Sequence, residues 1–449
     1  MCQNLEADLT IKNTKIVFSS TIVKAGLAVK NGKIIAITSD ENLPKADKII
    51  DAKENLTLPG IIDVHVHFRE PGFTRKEDFF TGSMAAVFGG VTTVVDMPNT
   101  NPPTLNLESF RLKIEKAKGK TYVNLGFFGG VCGENLDKIQ ELAKAGVLGY
   151  KIFMDKVLGK PLDDDSLIEA FKLIAKTGLR VAVHAEDPKL VEQATLNLKK
   201  TGRKDFRVWV ESRPSLAEAK AIEKLAFFSH KTGCKIHICH VSSKMGVKVL
   251  RKIKSQLSKF FLTSETCPHY LLLSFEEAEK VGLVSKIVPP IRFKEDKENL
   301  WYGLLDGTID IIASDHSPHL PEDKAKDVWD AATGFVGVET SLPLMLTQVN
   351  LGRLTINHYV KISAENPAKA FGLYPKKGFI QVGSDADLTI VDLKKESTIK
   401  SENLHSKTGL TPFEGWKVKG LPTYTIVNGK IMMENGEITR KPEGNLILL

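Results

Sequence analysis

Apolar and polar positions follow two textures along this chain. Near the N-terminus, short apolar, β-branched runs recur at 9–11, 15–18, 26–29 and 33–37. Asn31-Gly32 separates the last two, a pair that favours a tight hairpin turn. The far C-terminal part repeats this texture, with a strand expected over 385–391 and a hairpin over 424–431. Two β-rich ends around a different middle predict one small β-sandwich-like domain, assembled from residues 1–57 and 375–449.

The middle, residues 58–374, alternates short buried-type runs with helix-period segments. Strands are expected over 60–66, 91–96, 121–127, 148–153, 179–184, 235–240, 260–265 and 309–314. Helices are expected over 77–88, 105–117, 135–145, 163–177, 215–232, 243–257 and 294–305. Eight alternations predict an α/β fold, a parallel (β/α)8 TIM barrel, rather than an open sheet. Such a barrel places its chemistry at the carboxyl ends of the strands.

Composition narrows the function classes. At 449 residues, 42% apolar and 26% charged, the chain is long enough for a barrel and a smaller domain. The net charge of +8 reads as a lysine-rich surface with a weak pull on anions. No dense basic block interleaves with aromatics, which argues against nucleic acid. No apolar run nears the roughly 20 residues of a membrane span. The first residues are acidic and unlike a signal peptide. The five cysteines, Cys2, Cys132, Cys234, Cys239 and Cys267, lack framework spacing, which points to reduced thiols in the cytoplasm.

Candidate chemistry gathers on one rim. His65 and His67, two apart at the end of the first strand, share a face and can grip one divalent metal. Lys151 lies near the end of the fourth strand, His184 ends the fifth, His240 the sixth and Asp315 the eighth. One histidine after an apolar strand is ordinary packing; six such residues on one rim are not. His237, three before His240, is expected to face away and pack, and His230, His358 and His405 read as surface histidines.

These residues resemble the metal-dependent amidohydrolase superfamily, and within it the cyclic amidohydrolases: dihydroorotases, allantoinases and hydantoinases. The resemblance runs from about residue 8 to 435, with the motifs in family order. It implies two divalent metal ions, zinc foremost, with manganese or cobalt as substitutes. His65, His67 and Asp315 would hold one, and His184 and His240 the other. Lys151, carboxylated by carbon dioxide, would bridge both, and Asp315 would double as the catalytic proton carrier.

The substrate is signalled elsewhere. Arg69, Asn99 and His319 match the three residues that receive the ring carboxylate in dihydroorotases, and arginine offers carboxylate a planar fork. The resemblance therefore implies reversible hydrolysis of dihydroorotate to N-carbamoyl-L-aspartate, a step of pyrimidine synthesis. Residues 337–344 match a segment that closes over substrate, with Gly337 allowing close backbone approach and Glu339 structural. Val288 departs from the asparagine many bacterial dihydroorotases carry, leaving backbone groups to read the pyrimidine edge. His269 is expected either to touch substrate or to support the site from behind. Residues 265–270 are allantoinase-like, so a cyclic-ureide hydrolase is the alternative. A non-catalytic scaffold would have lost metal ligands, and all six positions are filled. The resemblance leaves room for a homodimer and for association with a transcarbamoylase.

Overall fold

In the computed structural model, which describes residues 6–256 and 261–449, eight parallel strands follow one another in sequence order around a barrel. They are Ile61–Val66, Val91–Asp96, Asn124–Gly130, Gly149–Phe153, Arg180–His184, Lys235–Ile238, Leu262–Thr266 and Ile311–Ile312. A parallel bridge from Val66 to His316 closes the ring, and the His67 N–H reaches the His316 carbonyl at 2.8 Å. Ile62, Val64, Val95, Met97, Phe128, Leu148 and Ala182 fill the interior, so the barrel is a packed core and not a pore.

The outer helices sit where the 3.6-residue period puts them. Asp164–Ala175 shows why: Asp163 caps it by accepting from the Ser166 N–H at 2.9 Å. Leu167, Ala170, Phe171 and Ile174 then form one buried stripe.

Three expected strands differ. The third lies at Asn124–Gly130 rather than 121–127. Its end is rich in glycine, which propensity disfavours, but Leu148 and Leu105 press so close to Gly126 and Gly130 that a Cβ there would collide. The sixth stops at Ile238, because His240 turns out at φ +37°. The eighth is only Ile311–Ile312. The expectations over 257 and 260 lie outside the described residues. Residues 338–344 belong to the helix Val338–Asn350, which packs toward the strand Lys417–Val427, with the Lys419 N–H donating to Thr347 Oγ1 at 2.8 Å.

The β-rich ends form two sheets. One is wholly N-terminal: Lys33–Thr38, Gly26–Lys30, Ala7–Lys12 and Ala46–Asp51. The other interleaves Lys15–Val17, Ile22–Lys24 and Leu56–Pro59 with Leu388–Thr398, Lys417–Val427, Lys430–Glu434 and Glu437–Ile438. Leu9, Ile11, Leu27 and Ile50 from the first share a core with Ile16, Leu388, Ile390 and Ile426 from the second.

The amino ends of the barrel strands are sealed by polar contacts. Asn124, starting the third strand, donates to both oxygens of Asp387 at 3.2 and 3.0 Å. Asp387 also accepts from Lys377 Nζ at 2.6 Å and the Asn428 N–H at 2.7 Å. The C-terminal residues run alongside, with the Ile447 N–H on the Leu125 carbonyl at 2.8 Å. Among the described residues, no helix is long and apolar enough to cross a membrane.

Candidate active site

The opposite rim carries the chemistry. Strand ends and the loops after them bring His65, His67, His184, His240 and Asp315 to the floor of a cavity of about 290 Å³. Arg69, Asn99, Arg213, Ser317 and His319 stand on its walls, with Phe153, Val157, Ile287 and Val288 as apolar lining. Arg69, His240 and Asp315 all have positive φ, a strained conformation for such side chains that turns each toward the site.

The imidazoles are held from behind. His65 Nδ1 is 2.5 Å from Glu265 Oε1, His67 Nδ1 is 2.7 Å from Asn99 Oδ1, and His184 Nε2 is 2.9 Å from Glu186 Oε2. Each N–H is thus spent on an outer oxygen, so the opposite nitrogen faces the site as a lone pair. Those lone pairs converge. His65 Nε2 and His67 Nε2 lie 3.3 and 3.4 Å from Asp315 Oδ1, and His184 Nδ1 is 3.0 Å from His240 Nε2. Ligand atoms of His65, His240 and Asp315 lie within 4.8 Å of one another.

Burial, first of all, disfavours the charged form of His65, His67 and His240. It pushes His65 down and His67 and His240 well below the ordinary histidine value, with Arg69 adding to the effect at His67 and His184 at His240. Behind them, burial opposes the charge on Glu265, but His65 and His237 outweigh it and hold that carboxyl well below its ordinary value. Arg213 and then His184 do the same for Glu186, with Arg213 Nη2 on Glu186 Oε2 at 2.6 Å. Asp315 is the exception: burial raises its pKa, the direction that favours proton uptake.

Buried imidazoles closing on one carboxylate, three of them with the outward nitrogen on an oxygen and only His240 Nδ1 without a partner among the described residues, fit divalent metal binding. The fit extends to Lys151. Its amine is fully buried beside this array, with Cys239 Sγ 3.0 Å away and no carboxylate in ion-pairing reach among the described residues. A cation is poorly placed there; a carbamate on the same nitrogen would supply the missing anionic ligand.

The structure corrects several expectations. Gly337 is off the cavity wall, where Gly334 stands instead; its N–H is used on His316 Nδ1 at 3.1 Å as the helix begins. His237 packs against Phe371, but it also reaches Glu265 Oε2 at 3.0 Å and so supports His65 through that carboxylate. His405 is no simple surface group: it stacks on Phe88 at 3.4 Å and bonds Glu339 at 2.8 Å. His230 is exposed, and the half-buried His358 donates to the Leu304 carbonyl. His269 is buried against Tyr270 and Phe335, its Nε2 without a partner among the described residues. Sequence reasoning missed Glu265, Glu186 and Arg213. For Glu265 and Glu186 the one signal was a charge within or just after a barrel strand; Arg213, in the loop after the helix Arg207–Glu211, gave none.

Comparison with known proteins agrees with this geometry. The family model described as the amidohydrolase family matches residues 56–432. A dihydroorotase of Methanosarcina acetivorans is 40% identical over 442 residues, covering 97% of this chain and 94% of that protein. An allantoinase of Rubrobacter xylanophilus is 36% identical, covering 96% of this chain and 97% of that one. The solved structure of an L-hydantoinase (dihydropyrimidinase) from Arthrobacter aurescens superposes with a TM-score of 0.96 at 36% identity, covering 99% of this chain and all of that one.

Proposed function

This chain belongs to the amidohydrolase family, and we propose that it is a dihydroorotase, interconverting (S)-dihydroorotate and N-carbamoyl-L-aspartate. One observation carries the choice of substrate. Arg69 is a buried guanidinium on the cavity wall whose close polar neighbours, Ser317 Oγ at 2.6 Å, the Pro318 carbonyl at 3.2 Å and His319 Nε2 at 3.0 Å, include no carboxylate. Burial pulls its pKa down to about 10, so the charge persists at neutral pH. A buried cation whose nearby carboxylates, Asp315 and Asp96 foremost, make no direct contact with it has room for a bonded anionic ligand, and dihydroorotate brings a carboxylate.

His65, His67 and Asp315 would hold one divalent ion and His184 and His240 a second, zinc suiting the donors, with a carboxylated Lys151 between them. Bound there, such ions supply Lewis acidity toward water and the ring amide carbonyl. The chain does the rest. Arg69, with the amide nitrogen of Asn99 and His319, holds the ring carboxylate. Phe153 and Ile287 bound the ring and exclude water. Val288 offers no side-chain hydrogen bond, so the pyrimidine edge is read by backbone groups around it. Asp315 takes the proton from the attacking water and delivers it to the departing ring nitrogen, and ring closure runs the same transfers in reverse. In this reading the enzyme serves pyrimidine synthesis in the cytoplasm; the four described cysteines are free, as a reducing compartment requires.

A second reading, hydrolysis of a neutral cyclic ureide such as allantoin, draws on the apolar Ile287–Val288 wall and the allantoinase relative. A parallel assay of zinc-loaded protein on dihydroorotate, allantoin and hydantoin decides between them. Preference for dihydroorotate, with cyclisation of N-carbamoyl-L-aspartate, is expected. Preference for allantoin would discard the carboxylate clamp.

A further inference from the structure

The ring of His319 lies between two cationic donors. Lys76 Nζ is 3.1 Å from His319 Nδ1, and Arg69 Nη2 is 3.0 Å from His319 Nε2. Neither cation can accept a hydrogen bond, and a neutral imidazole has only one acceptor nitrogen. Both contacts therefore cannot be satisfied at once.

The surroundings say which one yields. Asp323 Oδ2 is the nearest carboxylate to Nδ1, but at 3.7 Å it is too far to take a proton from it. That oxygen is already engaged by Lys76 Nζ at 2.9 Å and the Leu320 N–H at 3.2 Å. Asp323 thus anchors the lysine, and the lysine donates to Nδ1. The imidazole proton is then on Nε2, pointing at the Arg69 N–H. Protonating the second nitrogen is no escape: burial, and then the charges of Arg69, Lys76 and Lys324, hold His319 well below its ordinary pKa. Two N–H groups 3.0 Å apart that cannot bond each other leave both free for an acceptor placed beside the pair, at hydrogen-bond distance from each nitrogen.

We propose that Lys76 is a positioning residue for substrate selection: it fixes His319 as an Nε2–H donor, so that His319 and Arg69 together present paired donors to a ligand carboxylate. This rests on the dihydroorotase reading. Without Lys76 the imidazole can shift its proton to Nδ1 and accept from Arg69, and the two groups then satisfy each other instead of the ligand. Lys76 also ties the loop after the first barrel strand to the helix Pro321–Lys324 after the eighth, setting the separation of the two donors.

The test uses full-length, metal-loaded enzyme and two rings, dihydroorotate and dihydrouracil, which differ by the carboxylate. Lys76→Met should raise KM for dihydroorotate about tenfold, the worth of one hydrogen bond to a charged group, with kcat nearly constant and KM for dihydrouracil unmoved. Lys76→Arg should restore most of the loss. In 15N-histidine NMR, the His319 signal, identified by its absence in His319→Asn, should report an Nε2–H tautomer in the native enzyme and a shift toward Nδ1–H in Lys76→Met. An unchanged tautomer in Lys76→Met, or KM rising equally for both rings, overturns the proposal. A native enzyme without preference for dihydroorotate overturns it together with the substrate reading. A native preference that survives Lys76→Met overturns the role of Lys76 alone.

Discussion

The two ends of the barrel solve opposite problems with similar residues. At the amino ends of the strands, Asp387 is buried with Lys377, Asn124 and the Asn428 N–H, and every charge and lone pair has a partner. At the carboxyl ends, equally buried groups are left short. Among the described residues, His240 Nδ1 and His269 Nε2 have no partner and neither Lys151 nor Arg69 is bonded directly to a carboxylate, and three non-glycine residues of this rim sit at positive φ. A satisfied polar cluster stabilises; an unsatisfied one costs stability and waits for a ligand. The same eight strands thus carry a structural end and a reactive end.

The sharpest way to break this comparison is at Asp315. Asp315→Asn should lower kcat by about 10³- to 10⁴-fold, since the proposed function has this group carry the proton and it faces His65 and His67. The native melting temperature should hardly fall, because an amide relieves the cost of a buried carboxylate whose pKa burial already raises. A large loss of stability with activity retained would reverse the roles assigned to the two ends.

Arg69→Met should lower kcat/KM on dihydroorotate by about 10²-fold, the loss of a charge-assisted bidentate contact, with metal content by elemental analysis unchanged. Equal loss of metal would mean that Arg69 holds the metal floor together rather than the ligand.

The reactive end was more legible in the sequence than its supports. His65, His67, Lys151, His184, His240 and Asp315 each lie in or just after a barrel strand, and strand order alone brings them toward one rim. Glu265 is 200 residues from His65, and Arg213 is 27 from Glu186, so no local pattern pairs them. Helices were legible where one face is buried. Pro188–Lys200 was missed although Leu190, Ala194 and Leu198 recur at helical spacing, and none of its residues is fully buried. The sequence context of Gly337 does not show that its N–H is taken by His316 Nδ1 where the helix begins.

The structural end should respond in the opposite sense. Asp387→Ala leaves Lys377 and Asn124 without their shared acceptor and should cost about 3 kcal/mol of stability, read by denaturant unfolding. The kcat of the folded fraction should stay at the native value. A fall in kcat at full metal loading would show that the two ends are mechanically coupled.

The smallest effect separates charge from packing at the same cluster. Burial favours a neutral amine on Lys377, but Asp387 and Asp385 outweigh it and raise its pKa above the ordinary 10.5. A group whose pKa rises on folding contributes stability fully below its unfolded value and loses it as pH climbs through the folded one. The gap in melting temperature between native protein and Lys377→Met should therefore be steady from neutral pH to about pH 10 and narrow above it. A gap that persists in strong alkali would assign the contribution to the buried methylenes of Lys377 rather than to its charge.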